Sequence, residues 1–365
     1  MSTFSVKVRK IEILPHPNAD ALELAKVDDY RCVVKKDQYK SGDLVVYIPE
    51  AALVPEWVLK LYNFWNEKEN KGMLAGPEGN RVKAIKLRGE LSQGIVIPVG
   101  VEHFCNEGDD VAQWLGITKY EPPIPVHMAG EVFNAGDRLT VSYDIENFKA
   151  FPTVFQDGEE IVITEKLHGT FCQVIIVPES DGTSDMFHGR ILVASKGLGA
   201  QGLCFKANER NETNVYVRAL KASGLFEALL KEYSDIDIPV FVLGEVYGPG
   251  VQDGFSYGND LKFRVFDAGS GYRGNRFYLN WKMIKENAKL LGYDIVPELY
   301  VGPFSKEKML ELTSGKETVS GESTHMREGV VVKPTTERRD FNLGRVILKS
   351  VSEEYLTRKG GTEYN

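Results

Sequence analysis

No uninterrupted apolar run in this chain reaches the roughly 18 to 20 residues that a helix needs to cross a bilayer. The stretch Met1 to Lys10 lacks the apolar core of a secretory signal. A soluble, intracellular, cytoplasmic protein with no membrane partner is expected. Cysteine is scarce as well: Cys32, Cys105, Cys172 and Cys204 are widely scattered, with no Cys-x-x-Cys pair. That argues against a zinc site or a disulfide framework and for reduced packing cysteines. Excess positive charge is missing too, since the formal net charge is −8. A surface that coats polyanions in general is disfavoured, but nucleic acid is not excluded, because binding depends on where the positive charges sit. There is no internal repeat.

What is present is an ordinary globular composition, 42% hydrophobic and 26% charged over 365 residues, enough for two domains and a sizeable core. Residues 5–118 read as short strands between turn signals: Val6 to Ile11, Ala25 to Val27, Cys32 to Val34, Leu44 to Pro49, Val82 to Leu87 and Gly94 to Pro98. That spacing predicts a small β-barrel. The segments His16 to Glu23 and Gly42 to Pro49 resemble OB-fold modules of the tRNA-binding type. Between Arg81 and Arg88 basic and apolar residues alternate; on one strand Arg81 and Lys83 would share a face, with Lys86 and Arg88 on the other. Either a charged edge strand or a groove tracking RNA phosphates fits that pattern. The run Tyr120 to Pro125 is rich in proline and marks a boundary. The expected organisation is an OB-like RNA-binding module over 1–118, a linker over 119–142 and a catalytic domain over 143–365.

Beyond residue 143 strands alternate with helical patterns at Val215 to Glu232 and Trp281 to Leu291. The stretch the rest is organised around is Ile161 to Thr170, where β-branched residues deliver Lys166 onto a turn. Gly169 in that turn lets the backbone come close to something, expected to be a phosphate. A lysine can be a nucleophile when its amine is neutral. Strand ends further on carry Lys196, Glu245, Glu328 and Lys349. Carboxylates and lysines sharing one cleft suit a nucleoside triphosphate with its metal ions, and neighbouring positive charge depresses the pKa of an amine nucleophile.

In order, Lys166-x-x-Gly169, Ser195-Lys196-Gly197, Gly244-Glu245, Phe266-Asp267, Glu328 to Lys333 and Leu348-Lys349 resemble the motif series of the covalent nucleotidyltransferases, the superfamily of ATP-dependent ligases and mRNA capping enzymes. Glu165 to Thr170 and Gly244 to Gln252 resemble the RNA ligases more narrowly. With an OB-like module placed first, the resemblance is to the deinococcal-type branch of ATP-dependent RNA ligases. The implied fold class is α+β: an N-terminal OB-like β-barrel, then a nucleotidyltransferase domain of mostly antiparallel sheets with flanking helices, unrelated to ATP-grasp.

The resemblance implies that Lys166 carries AMP, with ATP and Mg²⁺ or Mn²⁺ as cofactors. RNA with 3′-OH and 5′-phosphate ends, in a nicked duplex, is the implied partner. It further implies that Glu165 lies at the adenine edge and that Lys196 meets ribose or phosphate. Glu245 is expected on ribose or the metal's water shell, Phe266 stacked on the base, and Glu328 ordering hydrated metal. Lys333 and Lys349 are expected on the phosphates. Ser350 follows Lys349, so a Lys-x-Lys pair is reduced to one lysine, with Arg345 as a substitute. His168 stands where DNA ligases and capping enzymes carry an acid. A capping-type or DNA-specific nucleotidyltransferase and a non-catalytic tRNA-binding protein are the alternatives.

Overall fold

The computed structural model describes residues 4–100, 105–252 and 254–358. The chain forms two compact units: the first is residues up to Glu121 together with Phe148–Pro152, the second Pro122–Asn147 together with the chain from Thr153 on.

In the first unit Leu44–Ile48 lies between Lys7–Lys10 and Ile95–Pro98, antiparallel to both. Leu22–Val27 lies likewise between Glu12–Pro15 and Tyr30–Lys35. Val8, Val46, Ile48, Val58 and Leu115 fill one core, and Ile11, Val27, Cys32 and Val45 a second. The expected strand Val82 to Leu87 is shorter than its alternation implies. Only Ile85–Leu87 is strand, in a pair with Glu90–Ser92. Arg81 instead bridges to Leu53 and Ala75, and its guanidinium stacks on Tyr120 at 4.1 Å. Arg81, Lys83, Lys86 and Arg88 therefore do not form the two faces of one strand. Arg88 has a positive φ of 51° and turns the chain into the next strand.

The stretch 119–142, expected as a linker, is divided between the units. Thr118–Lys119 pairs with Ala52–Leu53 in the first, and Val132–Asn134 pairs with Leu203–Phe205 in the second. Leu139 and Val141 are buried. The prolines end one pairing, and the apolar residues after them are enough to anchor the chain again.

The second unit contains two five-stranded sheets. One runs Glu146–Asn147, Leu348–Val351, Gly329–Pro334, Glu160–Lys166, Glu298–Pro303; its pairings are antiparallel except the first, which is parallel. The other runs Ile191–Ser195, Thr170–Ile176, Val240–Tyr247, Lys262–Ser270, Phe277–Tyr278, antiparallel throughout. Ile161, Val162 and Ile163 are all fully buried, so their strand is covered on both faces, as a continuous β-branched run requires. Helix Trp281–Leu291 buries Trp281, Ile284 and Ala288 at helical spacing and ends at Gly292, whose φ of 72° is a left-handed cap. The pattern expected as one helix over Val215 to Glu232 is two, Val215–Ala222 and Leu225–Glu232. Gly224 between them adopts φ 69° and breaks the run.

Candidate active site

Strand register assembles the site. Lys166 lies opposite Gly329, Thr164 opposite Val331 and Val162 opposite Lys333, while Val331 also faces Lys349 on its other side. Side chains alternate along a strand, so Lys166, Thr164, Val331, Lys333 and Lys349 share one face. They line a cleft of about 220 Å³, room for a small molecule rather than single waters. Glu328 directly precedes the residue opposite Lys166, and its Oε1 lies 2.7 Å from Lys166 Nζ.

The turn Leu167 to Gly169 passes the chain from this sheet to the other. A Cβ at position 169 would lie 2.3 Å from the Val246 carbonyl oxygen and 2.8 Å from Glu245 Cγ. Glycine at 169 is thus required by the neighbouring strand, a reason the turn alone does not announce. The His168 amide donates to the Tyr257 hydroxyl at 2.9 Å, and its Nδ1 shares a 2.7 Å hydrogen bond with the Tyr355 hydroxyl. The ring packs against Phe255, and the cleft is lined by the residues on either side of His168, not by His168 itself.

On the second sheet Glu245 lies across from Phe171 and enters the cleft. Burial pushes its carboxyl up to about 8; Lys166 opposes the shift and Glu328 adds to it. Leu243 pairs with Asp267 and Gly244 with Val265, which leaves Phe266 as an extra residue, a β-bulge. A Cβ on Gly244 would lie 2.4 Å from the Phe263 ring, so the bulge can close only with glycine there. The bulge directs Phe266 into the cleft, where Tyr143 and Phe171 lie 5.6 and 6.0 Å from it between ring centroids. Three rings on one wall and lysines on the other suit a planar base joined to phosphates.

Beneath the cleft is a second charged group. Asp267, fully buried, accepts hydrogen bonds from both terminal nitrogens of Arg345, from Lys333 Nζ at 3.2 Å and from the Tyr143 hydroxyl at 2.7 Å. Burial alone would raise its pKa, but Arg345 and Lys333 outweigh burial and hold it below the usual range. Lys333 is held down by burial, with Asp267 opposing. Lys349 is lowered by burial first, then by Lys166 and Lys196.

Lys166, Glu165, Gly169, Lys196, Glu245, Phe266, Lys333 and Lys349 thus gather around one cleft, with Glu328 bonded to Lys166 at its edge. Several details differ from expectation. Glu245 and Lys349 lie within strands rather than at their ends. The Glu165 carboxylate accepts from the Thr318 amide and hydroxyl and pairs with Arg327, so its side chain fastens a loop while the residue still lines the cleft. The Arg345 guanidinium, expected as a phosphate contact, is held by Asp267 and Glu337. Sequence reasoning missed Asp267 as a site residue, although it directly follows Phe266. It also missed Asp144, which holds Lys196 Nζ at 2.9 Å and lay in a stretch with no motif to signal it.

The described residues contain no group of three or more His, Cys, Asp or Glu side chains that could hold a metal ion. Glu245 and Glu328 can still share a hydrated divalent ion whose remaining ligands are water and ligand oxygens, the way Mg²⁺ is commonly bound.

Residues 159–351 match the family model described as RNA ligase, and residues 5–99 match an OB-fold domain model. No curated protein matches the chain. Among solved structures, a Naegleria gruberi RNA ligase variant with ATP and Mn is 23% identical, with a TM-score of 0.75 over 97% of this chain and 98% of that one. A variant of the same ligase with AMP and Mn gives 23% and 0.76 over 96% and 97% of the two chains. The same ligase with PPi gives 24% and 0.73, again over 96% and 97%. At these identities the likeness is one of fold.

Proposed function

The chain belongs to the RNA ligase family, and from that premise we propose that it joins RNA 3′-OH and 5′-phosphate ends with ATP, sealing nicks in RNA repair. The reading is carried by one observation: Lys166 and Lys349 lie on one face of a sheet, with Glu328 bonded to Lys166 and the rings of Phe266, Phe171 and Tyr143 across the cleft.

The Lys166 amine, having shed a proton, attacks the α-phosphorus of ATP. An N–P bond forms, the bond from that phosphorus to the bridging oxygen breaks, and pyrophosphate leaves with the electron pair. The AMP then passes to an RNA 5′-phosphate oxygen, and an RNA 3′-oxygen displaces AMP to make the phosphodiester. The chain's part is positioning and charge. The aromatic wall, with Phe266 directed inward by its bulge, holds adenine. Lys349 and Lys196 meet phosphate oxygens, and Lys333, held by Asp267, keeps positive charge beneath them. Glu245 and Glu328 would hold Mg²⁺ or Mn²⁺, whose charge would help neutralise phosphate oxygens. The first unit, with Lys83, Lys86 and Arg88 exposed, holds the RNA flank.

Incubation with α-labelled ATP and Mg²⁺ or Mn²⁺ is expected to give a covalent protein–AMP adduct that Lys166→Ala abolishes, followed by sealing of a nicked duplex with an RNA 3′-OH strand. An adduct undiminished in Lys166→Ala, a preference for GTP, or equal sealing of all-DNA nicks would overturn this reading. Replacing Lys86 and Arg88 by alanine is expected to lower sealing while leaving adduct formation intact.

A further inference from the structure

The helix Glu353–Leu356 is one turn long, too short to hold itself together, yet it is fastened on several sides. The Ser352 amide donates to the Glu328 carbonyl at 2.9 Å, and the Ser352 hydroxyl donates to the Arg327 carbonyl at 3.1 Å. The same hydroxyl oxygen caps the helix by accepting from the Tyr355 amide at 3.2 Å. The Tyr355 hydroxyl shares its 2.7 Å hydrogen bond with His168 Nδ1, and the Arg358 guanidinium lies over the Tyr355 ring at 3.6 Å. One short segment therefore grips both partners of the Lys166–Glu328 ion pair: Glu328 through its own carbonyl, and Lys166 through the residue two positions further on.

We propose that Ser352 to Arg358 is a strap that fixes the spacing of Lys166 and Glu328, with Tyr355 and His168 as positioning residues for the attack of Lys166 on the α-phosphate. The proposal rests on the lysyl-AMP reading above. Lysine has a long, freely rotating side chain, and an error of about 1 Å in the placement of a reacting group can cost about 100-fold in rate. Rigidity at its backbone removes one source of that error. The strap also accounts for histidine at position 168. The side chain there sits among the rings of Phe255 and Tyr355. A carboxylate there would be stripped of water between two rings, whereas an imidazole fills the space with ring contacts and offers Nδ1 to Tyr355.

The test is single-turnover adduct formation by the full chain, over a range of ATP concentrations, with thermal midpoints measured beside it. Tyr355→Phe keeps the ring and deletes one oxygen. It is expected to slow adduct formation at saturating ATP about tenfold while the KM for ATP stays within about twofold, since Tyr355 is not among the residues that line the cleft. His168→Asn, which keeps a polar group toward Tyr355, is expected to retain more of the rate than His168→Phe. The double replacement by phenylalanine is expected to be no slower than His168→Phe alone, because both single changes break the same bond. A wild-type rate in Tyr355→Phe, or a loss appearing only in KM, overturns the strap. If Tyr355→Phe proves unstable, equal rates in His168→Asn and His168→Phe overturn it instead. Absence of any adduct in the unmodified protein overturns the ligase reading, whereas an adduct in the unmodified protein and an equal rate in Tyr355→Phe overturn the strap alone.

Discussion

Lys166 and Lys333 sit on adjacent strands of one sheet, face the same cleft and each have a carboxylate partner, yet their surroundings differ. Lys166 keeps 26% of its side chain exposed and bonds Glu328, itself 10% exposed, at 2.7 Å. Lys333 is 4% exposed and bonds Asp267, which is 0% exposed and also holds Arg345 and Tyr143. The second group is a closed network in which Asp267 would be left as an uncompensated buried charge if its cations were removed, while Glu337 backs those cations from the other side. The first is open to solvent and therefore able to exchange partners. A reactive lysine needs that freedom, and a lysine that maintains the field of a cleft needs the opposite. Lys349 stands between them, paired across the sheet with Val331 and depressed by burial and by its lysine neighbours.

This contrast can be broken most severely at Asp267. Asp267→Ala leaves the buried Arg345 and Lys333 with Glu337 alone between them, and a loss of about 3 kcal/mol is expected in urea unfolding followed by circular dichroism. A loss under about 1 kcal/mol would mean that the network is not closed. A smaller effect is expected at Glu245, where it depends on pH. Its folded carboxyl titrates at about 8, above the ordinary value of about 4.3. The native state therefore keeps a proton that the unfolded chain has lost, and the stability this contributes falls as pH rises to about 8. Glu245→Gln is neutral throughout, so the wild type should lose about 1 kcal/mol relative to it between about pH 5 and pH 8, after allowance for cleft solvent. Parallel midpoint-versus-pH curves for the two proteins would refute this. The smallest effect on stability belongs to Lys166: Lys166→Ala should unfold within about 1 kcal/mol of the wild type although it forms no adduct. A loss as large as that of Asp267→Ala would erase the distinction between the two lysines.

Much of the second unit was legible because its signals are local. Ile161 to Lys166 is a β-branched run, helix Trp281–Leu291 is periodic and stopped by a glycine, and the ordered motifs place Lys166, Lys196, Glu245, Phe266 and Lys349 around one cleft. What escaped depends on partners distant in sequence. Gly169 is glycine because Val246 and Glu245 lie against it, and nothing near position 169 announces that. The bulge at Phe266 is a mismatch between two strands and cannot be read from either alone. The Glu165 carboxylate is held by Thr318 and Arg327, 153 or more residues further along the chain, and nothing near position 165 announces them. In the first unit the alternation from Arg81 to Arg88 imitates a strand, but bridges from Arg81 to Leu53 and Ala75 and the positive φ of Arg88 take priority over it.

Both neighbours of the Glu160–Lys166 strand, Glu298–Pro303 and Gly329–Pro334, lie downstream of it in the chain. During synthesis this strand therefore leaves the ribosome with two bare edges and no Glu328 beside its lysine. Residues 298–334 must follow before its backbone groups are paired. The buried Ile161 to Ile163 run thus waits long for its partners, which makes it a place where a stalled or truncated chain would associate with its own kind.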